Sequence, residues 1–282
     1  MKKLVITLCA LTLTACSTSF TYNNLDWLVY WYLDDYVELT DEQKQKVDPK
    51  LNEWLVWHRE HELTLYLAHF AELSQDIQNK SLNSQTLDKH QALFEQHWQR
   101  LKARIVPDLV ALAPLLSQQQ IDQMFDVLGQ ENTVAKQDHN RLLTRNKIQQ
   151  ENLWLAERTK RLSRWLGPLS NSQRQLLEQS YQQYQDTQGL WIDFKMHYQH
   201  TLKHHLLVYS QVQTQAQSRA LERLLLNPDT LKEPILVNKS QANVAMFKGL
   251  VQDLNQNITT KQREHLIEEL AGIAQDIEAI LN

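Results

Sequence analysis

Apolar positions recur at three- and four-residue intervals along nearly the whole chain, and alternating β-branched runs are missing. That periodicity predicts amphipathic helices whose apolar stripes need partners to cover them. The first is a short aromatic-rich helix between Tyr22 and Tyr36. Leu25, Leu28, Val29, Tyr32 and Tyr36 share one side of it, with Trp27 and Trp31 opposite. Thr40 and Gln43 form a capping box that opens the next helix. Asp48-Pro49 reads as a cap and restart, and the helix runs to about Asn79. A turn over 79–84 precedes a helix from Ser84 to Ala113, kinked near Pro107 and ended by Pro114. The next is predicted from Ser117 to Leu166, weakened near Gly129 and stopped by Gly167-Pro168. A single helix from Ser170 to Leu226 would extend ~75 Å. Residues 227–239, with Pro228 and Pro234, read as an irregular connection before helices over 240–256 and from Thr259 to the end. The expected fold is all-α: an elongated antiparallel bundle of six to eight long helices. The stop at Gly167 would allow two sub-bundles, 22–166 and 169–282.

Composition agrees with that pattern. Only five Gly and six Pro occur in 282 residues. Charge narrows the partners. Without Lys2 and Lys3, which fall in the N-terminal leader described next, 27 basic residues face 33 acidic ones. An acidic balance argues against general nucleic-acid binding and offers no broad basic surface for anionic lipid.

The N-terminus departs from the helical pattern. Residues 1–15 read as a secretory signal, with Lys2 and Lys3, an apolar run from Leu4 to Leu13, and small residues before Cys16. The run is too short to span a bilayer, which takes ~20 apolar residues. Leu13-Thr14-Ala15-Cys16 resembles the lipobox of bacterial lipoproteins. The resemblance implies cleavage after Ala15, recognition through Leu13, Thr14 and Ala15, and acylation of Cys16 as the new N-terminus. Several acyl chains together make an anchor durable. Ser17 after the cysteine implies the periplasmic face of the outer membrane. Cys9 leaves with the signal, so the mature chain would hold no thiol for a disulfide or for thiol catalysis. Residues 16–21 form the lipidated cysteine and a tether reaching under ~20 Å, which places the 22–282 body close to the membrane. The aromatic helix, apolar on both sides, is then expected to be buried between neighbours. The alternative makes Trp27 and Trp31 membrane-proximal aromatics at the lipid headgroups.

Four helix starts share one pattern: Leu39/Thr40/Gln43, Leu116/Ser117/Gln120, Leu169/Ser170/Gln173 and Ile258/Thr259/Gln262. It resembles the LTxxQ signature of periplasmic chaperones of the Spy and CpxP type, over five-residue windows only. Capping alone accounts for it, since Ser or Thr with Gln three residues on starts helices anywhere. A closer resemblance lies in Tyr22-Asn23, Leu25 to Leu28, Leu33-Asp34, Tyr36-Val37, Gln43 and Trp57 to Arg59. These residues look like a family of all-helical bacterial outer-membrane lipoproteins carried as a domain of unknown function. It implies a localisation and a fold, but no activity.

Candidate chemistry is sparse. His58 and Glu62 lie one turn apart on an apolar face that also carries His69, where the first two can form a hydrogen-bonded polar pair or an acid–base pair. His61-Glu62 starts like a zincin motif, but Leu65 stands where the second histidine belongs. Asp193, His197, His200 and His204 share one helix face at spacings that suit metal ligation, with an apolar stripe opposite that turns them toward water. No catalytic constellation or phosphate loop occurs. The expectation is therefore a non-enzymatic, lipid-anchored protein that engages other envelope proteins as an assembly or chaperone-like factor, without nucleic acid. It takes no cofactor beyond the lipid on Cys16. A metal-binding lipoprotein using 193–204 is the alternative, and an envelope hydrolase the second.

Overall fold

The computed structural model describes residues 21–282; Leu13, Thr14, Ala15 and Cys16 lie outside the described residues. Among the described residues the chain is helical and without strands. These described residues form eleven α-helices rather than six to eight: α1 (Leu25–Leu33), α2 (Asp41–Trp57), α3 (Leu63–Gln78), α4 (Ser84–Leu112), α5 (Gln118–Leu143), α6 (Lys147–Leu166), α7 (Asn171–Tyr181), α8 (Gln188–Gln211), α9 (Gln215–Leu226), α10 (Pro234–Asn257) and α11 (Thr260–Leu281). A π-helical turn, His58–Glu62, joins α2 to α3. Short 3₁₀ segments follow α4 (Ala113–Leu115) and α9 (Pro228–Leu231).

Two of the extra breaks, at Asn146 and at Thr214, are dictated by local cap chemistry. The 117–166 segment breaks at Asn146, not at Gly129. Asn146 accepts from the Gln149 amide, and the Gln149 side chain accepts in return from the Asn146 amide. The 170–226 segment folds into three helices, the last capped by Thr214, which accepts from Gln217 N. Breaking it lets α8 and α9 turn back on one another to share a core, which a straight rod of ~75 Å could not do. α10 begins at Pro234 rather than Ser240, because proline suits a first helical turn, where no amide donor is needed. Pro49 sits inside a continuous α2 instead of restarting it, and Pro107 inside α4.

Three apolar cores hold the helices. Val106, Val110, Ile121, Phe125, Leu206 and Leu221 join α4, α5, α8 and α9. Leu166, Leu169, Leu177, Leu250 and Leu254 join α6, α7 and α10. Leu63, Ile277 and Ile280 pack α3 on α11, with Tyr66 and Phe70 alongside. Each core draws on both 22–166 and 169–282, so the stop at Gly167 does not separate two cores.

The Leu-Thr/Ser-x-x-Gln segments do more than cap. All four form reciprocal capping boxes. Beyond that, their glutamines meet in pairs. Gln43 Nε2 donates to Gln120 Oε1 at 2.9 Å, and Gln120 Nε2 donates back to Gln43 Oε1 at 2.7 Å. Each also donates to a backbone carbonyl beside the other's cap, Leu115 O and Glu38 O. Gln173 and Gln262 repeat the arrangement at 2.8 and 3.0 Å, reaching Asn257 O and Pro168 O. Two glutamine clasps therefore tie helix starts that lie far apart in the chain.

α1 is not buried between neighbours, contrary to its two-sided apolar pattern. Leu28 and Val29 are half-covered, whereas Trp27 and Trp31 are 62% and 60% exposed. Their rings stack at 6.5 Å between centroids. The helix is held by the Tyr30 hydroxyl, which donates to Asp48, and by Lys44 over the Tyr30 ring. Such pinning fixes one side and leaves the indoles outward.

Candidate functional site

The strongest chemical feature lies where the π turn and α3 meet α4. An i to i+5 bond, Leu63 N to His58 O, widens the helix at this point. Such an insertion rotates the residues after it relative to those before. His58 and Glu62 are consequently not partners. His58 Nδ1 meets the Tyr22 hydroxyl at 2.9 Å, and Glu62 turns into the interior. Burial pushes the His58 pKa down.

Glu62 is 1% exposed. Arg100 on α4 grips it with two bonds, Nε to Oε1 at 2.6 Å and Nη2 to Oε2 at 3.1 Å. Burial alone would raise its pKa, but the Arg100 bonds hold it below the ordinary carboxylate value. A buried carboxylate persists only with such a partner.

From Arg100 a file of imidazoles runs to Asp76. Arg100 Nη2 lies 2.6 Å from His97 Nδ1, and His97 Nε2 lies 3.2 Å from His69 Nδ1. His69 Nε2 lies 3.0 Å from His90 Nδ1, and His90 Nε2 lies 3.0 Å from Asp76 Oδ2. The direction of every bond follows from the two ends. Arginine can only donate, so His97 Nδ1 accepts and its Nε2 carries the hydrogen. The same reasoning passes to His69 and His90, and ends on a carboxylate that can only accept. All three rings are then neutral Nε2–H tautomers with both nitrogens engaged. Burial, followed by His90 and His97, lowers the His69 pKa to about 4. Ser81 Oγ donates to Asp76 Oδ1 at 2.6 Å and is the main cause of that carboxyl's lowered pKa.

The turn between α3 and α4 sets this register. Ser81 N reaches back to Asp76 O at 2.9 Å, closing a Schellman-type end, while Lys80 adopts φ 58°. Only glycine takes that conformation without cost, so Lys80→Gly is expected to raise stability by about 0.5–1 kcal/mol, read by urea denaturation. No gain would mean that the lysine side chain compensates for the strain.

A groove of about 280 Å³ opens over His69 and His97, walled by Tyr66, Phe70, Phe94, Trp98 and Leu101. Phe94 and Trp98 are 51% and 58% exposed. The groove is apolar, and the imidazole nitrogens beneath it have no lone pair left to attack or ligate. The arrangement holds protons in place rather than presenting a nucleophile.

A scan against protein-family models matches residues 35–234 to a family of unknown function, DUF6279. The chain belongs to that family. The matched region contains Glu62, His69, Asp76, His90, His97 and Arg100 and three of the four clasp glutamines. It leaves out α1, Gln262 and almost all of α10 and α11. Searches of curated proteins and of solved structures returned no match.

Asp193, His197, His200 and His204 all lie exposed along α8, whose buried side is Gln199 and Leu206. Among the described residues no group of three or more His, Cys, Asp or Glu is placed to hold a metal ion. Of the imidazole file, the α3 apolar-face pattern points to His69 alone. His90, His97 and Arg100 carry a weaker signal, a polar face at i, i+7 and i+10, which has no meaning until α3 is laid against it.

Proposed function

We propose that this protein is a lipid-anchored envelope protein of the outer membrane, without enzymatic activity of its own. It carries acyl chains on Cys16 and engages other envelope proteins in an assembly or chaperone-like role. What supports this reading is where the exposed aromatics stand. One pair, Trp27 and Trp31, lies within a short tether of the anchoring cysteine. Indoles at that position suit the headgroup layer, where an amphipathic ring has both an apolar and a polar neighbour. A second pair, Phe94 and Trp98, lines the groove on α4 and offers apolar surface to a partner. No helix among the described residues is long and apolar enough to cross a membrane.

Membrane fractionation with Cys16→Ser tests the anchor. The native protein is expected in the membrane pellet, with an acylated N-terminal peptide by mass spectrometry. The variant is expected to be released. Adding Trp27→Ala and Trp31→Ala to Cys16→Ser should weaken binding to phospholipid vesicles by a further ~10-fold, as buried indole area is lost. Unchanged vesicle binding would place α1 away from the bilayer. For the partner, in-cell crosslinking from position 98 should capture envelope proteins that crosslinking from exposed Val134 does not. Equal yields at both positions would remove the groove from the proposal.

A further inference from the structure

The imidazole file has an unusual property: its hydrogens are fully allotted. Four gaps separate Arg100, His97, His69, His90 and Asp76, and each holds one hydrogen donated toward Asp76. An added proton on any ring puts two N–H groups face to face in one gap. The only relief within reach lies at His97, whose Nδ1 stands 3.5 Å from Glu62 Oε2, and taking it breaks the bond with Arg100. Three of the four bonds cross from α3 to α4, so the file is also the polar tie between those helices.

We propose that this file is an acid-released latch, which ties α3 to α4 while His69 is neutral and lets them part when it is protonated. Release would loosen the floor of the Phe94/Trp98 groove, because His69 and His97 form that floor. The groups facing the file set the pH at which this happens. From the π turn and α3 these are His58, Glu62, Tyr66, Glu72 and Asp76. From α4 they are Lys89 and Arg100, with Lys89 paired to Glu72. From α11, Arg263 donates to the Ile77 carbonyl, one residue beyond Asp76. Tyr22 reaches His58 from the segment before α1. Burial dominates and holds His69 neutral.

The sign follows from linkage. His69 binds its proton near pH 4 in the folded state and near 6.5 when exposed. Below pH 6.5 the opened state therefore binds more protons than the closed one. The latch is closed above that pH and weakens as pH falls toward 4.

Hydrogen exchange of the full chain, corrected for intrinsic rates, tests this helix by helix. Between pH 7 and pH 4.5, protection in α3 and in the first half of α4 is expected to fall ~100-fold. Protection in α8 and α9 is expected to stay within a few-fold. In His69→Gln, which keeps a donor and an acceptor but does not titrate, that selective fall should be nearly abolished. A uniform loss across all helices overturns the proposal, as does the same selective loss in the variant. Nitrogen-15 spectra of the native imidazoles at pH 7 give an independent check should the variant not fold. Three Nε2–H tautomers support the latch, and any Nδ1–H or doubly protonated ring in the file overturns it.

Discussion

Arg100→Met is expected to cost about 3–5 kcal/mol of stability at pH 7, the range for stranding one member of a buried ion pair. The loss arises less from the missing arginine than from the residue it leaves behind. Arg100 is partly open to water, but Glu62 is 1% exposed and would keep its charge without a partner. His97 would also lose the donor to its Nδ1. The pH signature separates this from a simple packing defect. In the native protein Glu62 has a lowered pKa, so the pair contributes above the ordinary carboxylate value and is lost as pH falls through the lowered one. In the variant, burial acts unopposed and raises that pKa. The penalty is then full at pH 7 and shrinks toward pH 5 as Glu62 takes up a proton. Urea denaturation at both pH values reads the difference. Glu62→Gln/Arg100→Met should recover a large part of the loss at pH 7, because it removes the stranded charge. A single-variant loss under about 1 kcal/mol, or one unchanged at pH 5, would mean that Glu62 finds water or another partner.

Gln173→Ala is expected to cost about 2–4 kcal/mol, and more than Gln43→Ala, although the two residues have identical local roles. Both are the third residue of a capping box, and loss of a cap alone costs about 0.5–2 kcal/mol. The difference is burial. Gln173 is completely inaccessible, and its amide serves Ser170 N, Asn257 O and both ends of Gln262. Removing it strips the buried Gln262 side chain of both its bonds to Gln173, away from water. Gln43 is half-exposed, so water can replace its bonds to Leu115 O and Gln120. Thermal melts of the two variants compare them directly. Equal shifts would reduce the clasps to ordinary caps.

The helix starts show how much was legible. Thr40, Ser117, Ser170 and Thr259 cap as expected, because a cap is a bond between residues three apart and needs nothing from elsewhere. Asn146 and Thr214 were equally legible as chemistry. The apolar periodicity runs on across them, and periodicity does not register a change of direction. The pairing of Gln43 with Gln120, and of Gln173 with Gln262, could not be read at all. It depends on which helix ends are brought together.

The candidate site divides in the same way. His58, Glu62 and His69 share an apolar face, and that much is a matter of spacing. Which partner each one takes is not. The π turn withdraws Glu62 from His58, and the Lys80 turn lays α4 along α3 in the register that puts His97 and His90 on either side of His69. By itself the sequence determined the helical class, most helix boundaries and the pattern of caps, along with the expectation of a lipid anchor. Those are local properties, carried by bonds and periodicities within a few residues. Tertiary structure alone decided that Trp27 and Trp31 face outward, that the clasp glutamines pair, and that an arginine, three histidines and two carboxylates stand in one file. Burial and long-range register belong to the packed chain, since no residue carries information on what will lie opposite it until the helices meet.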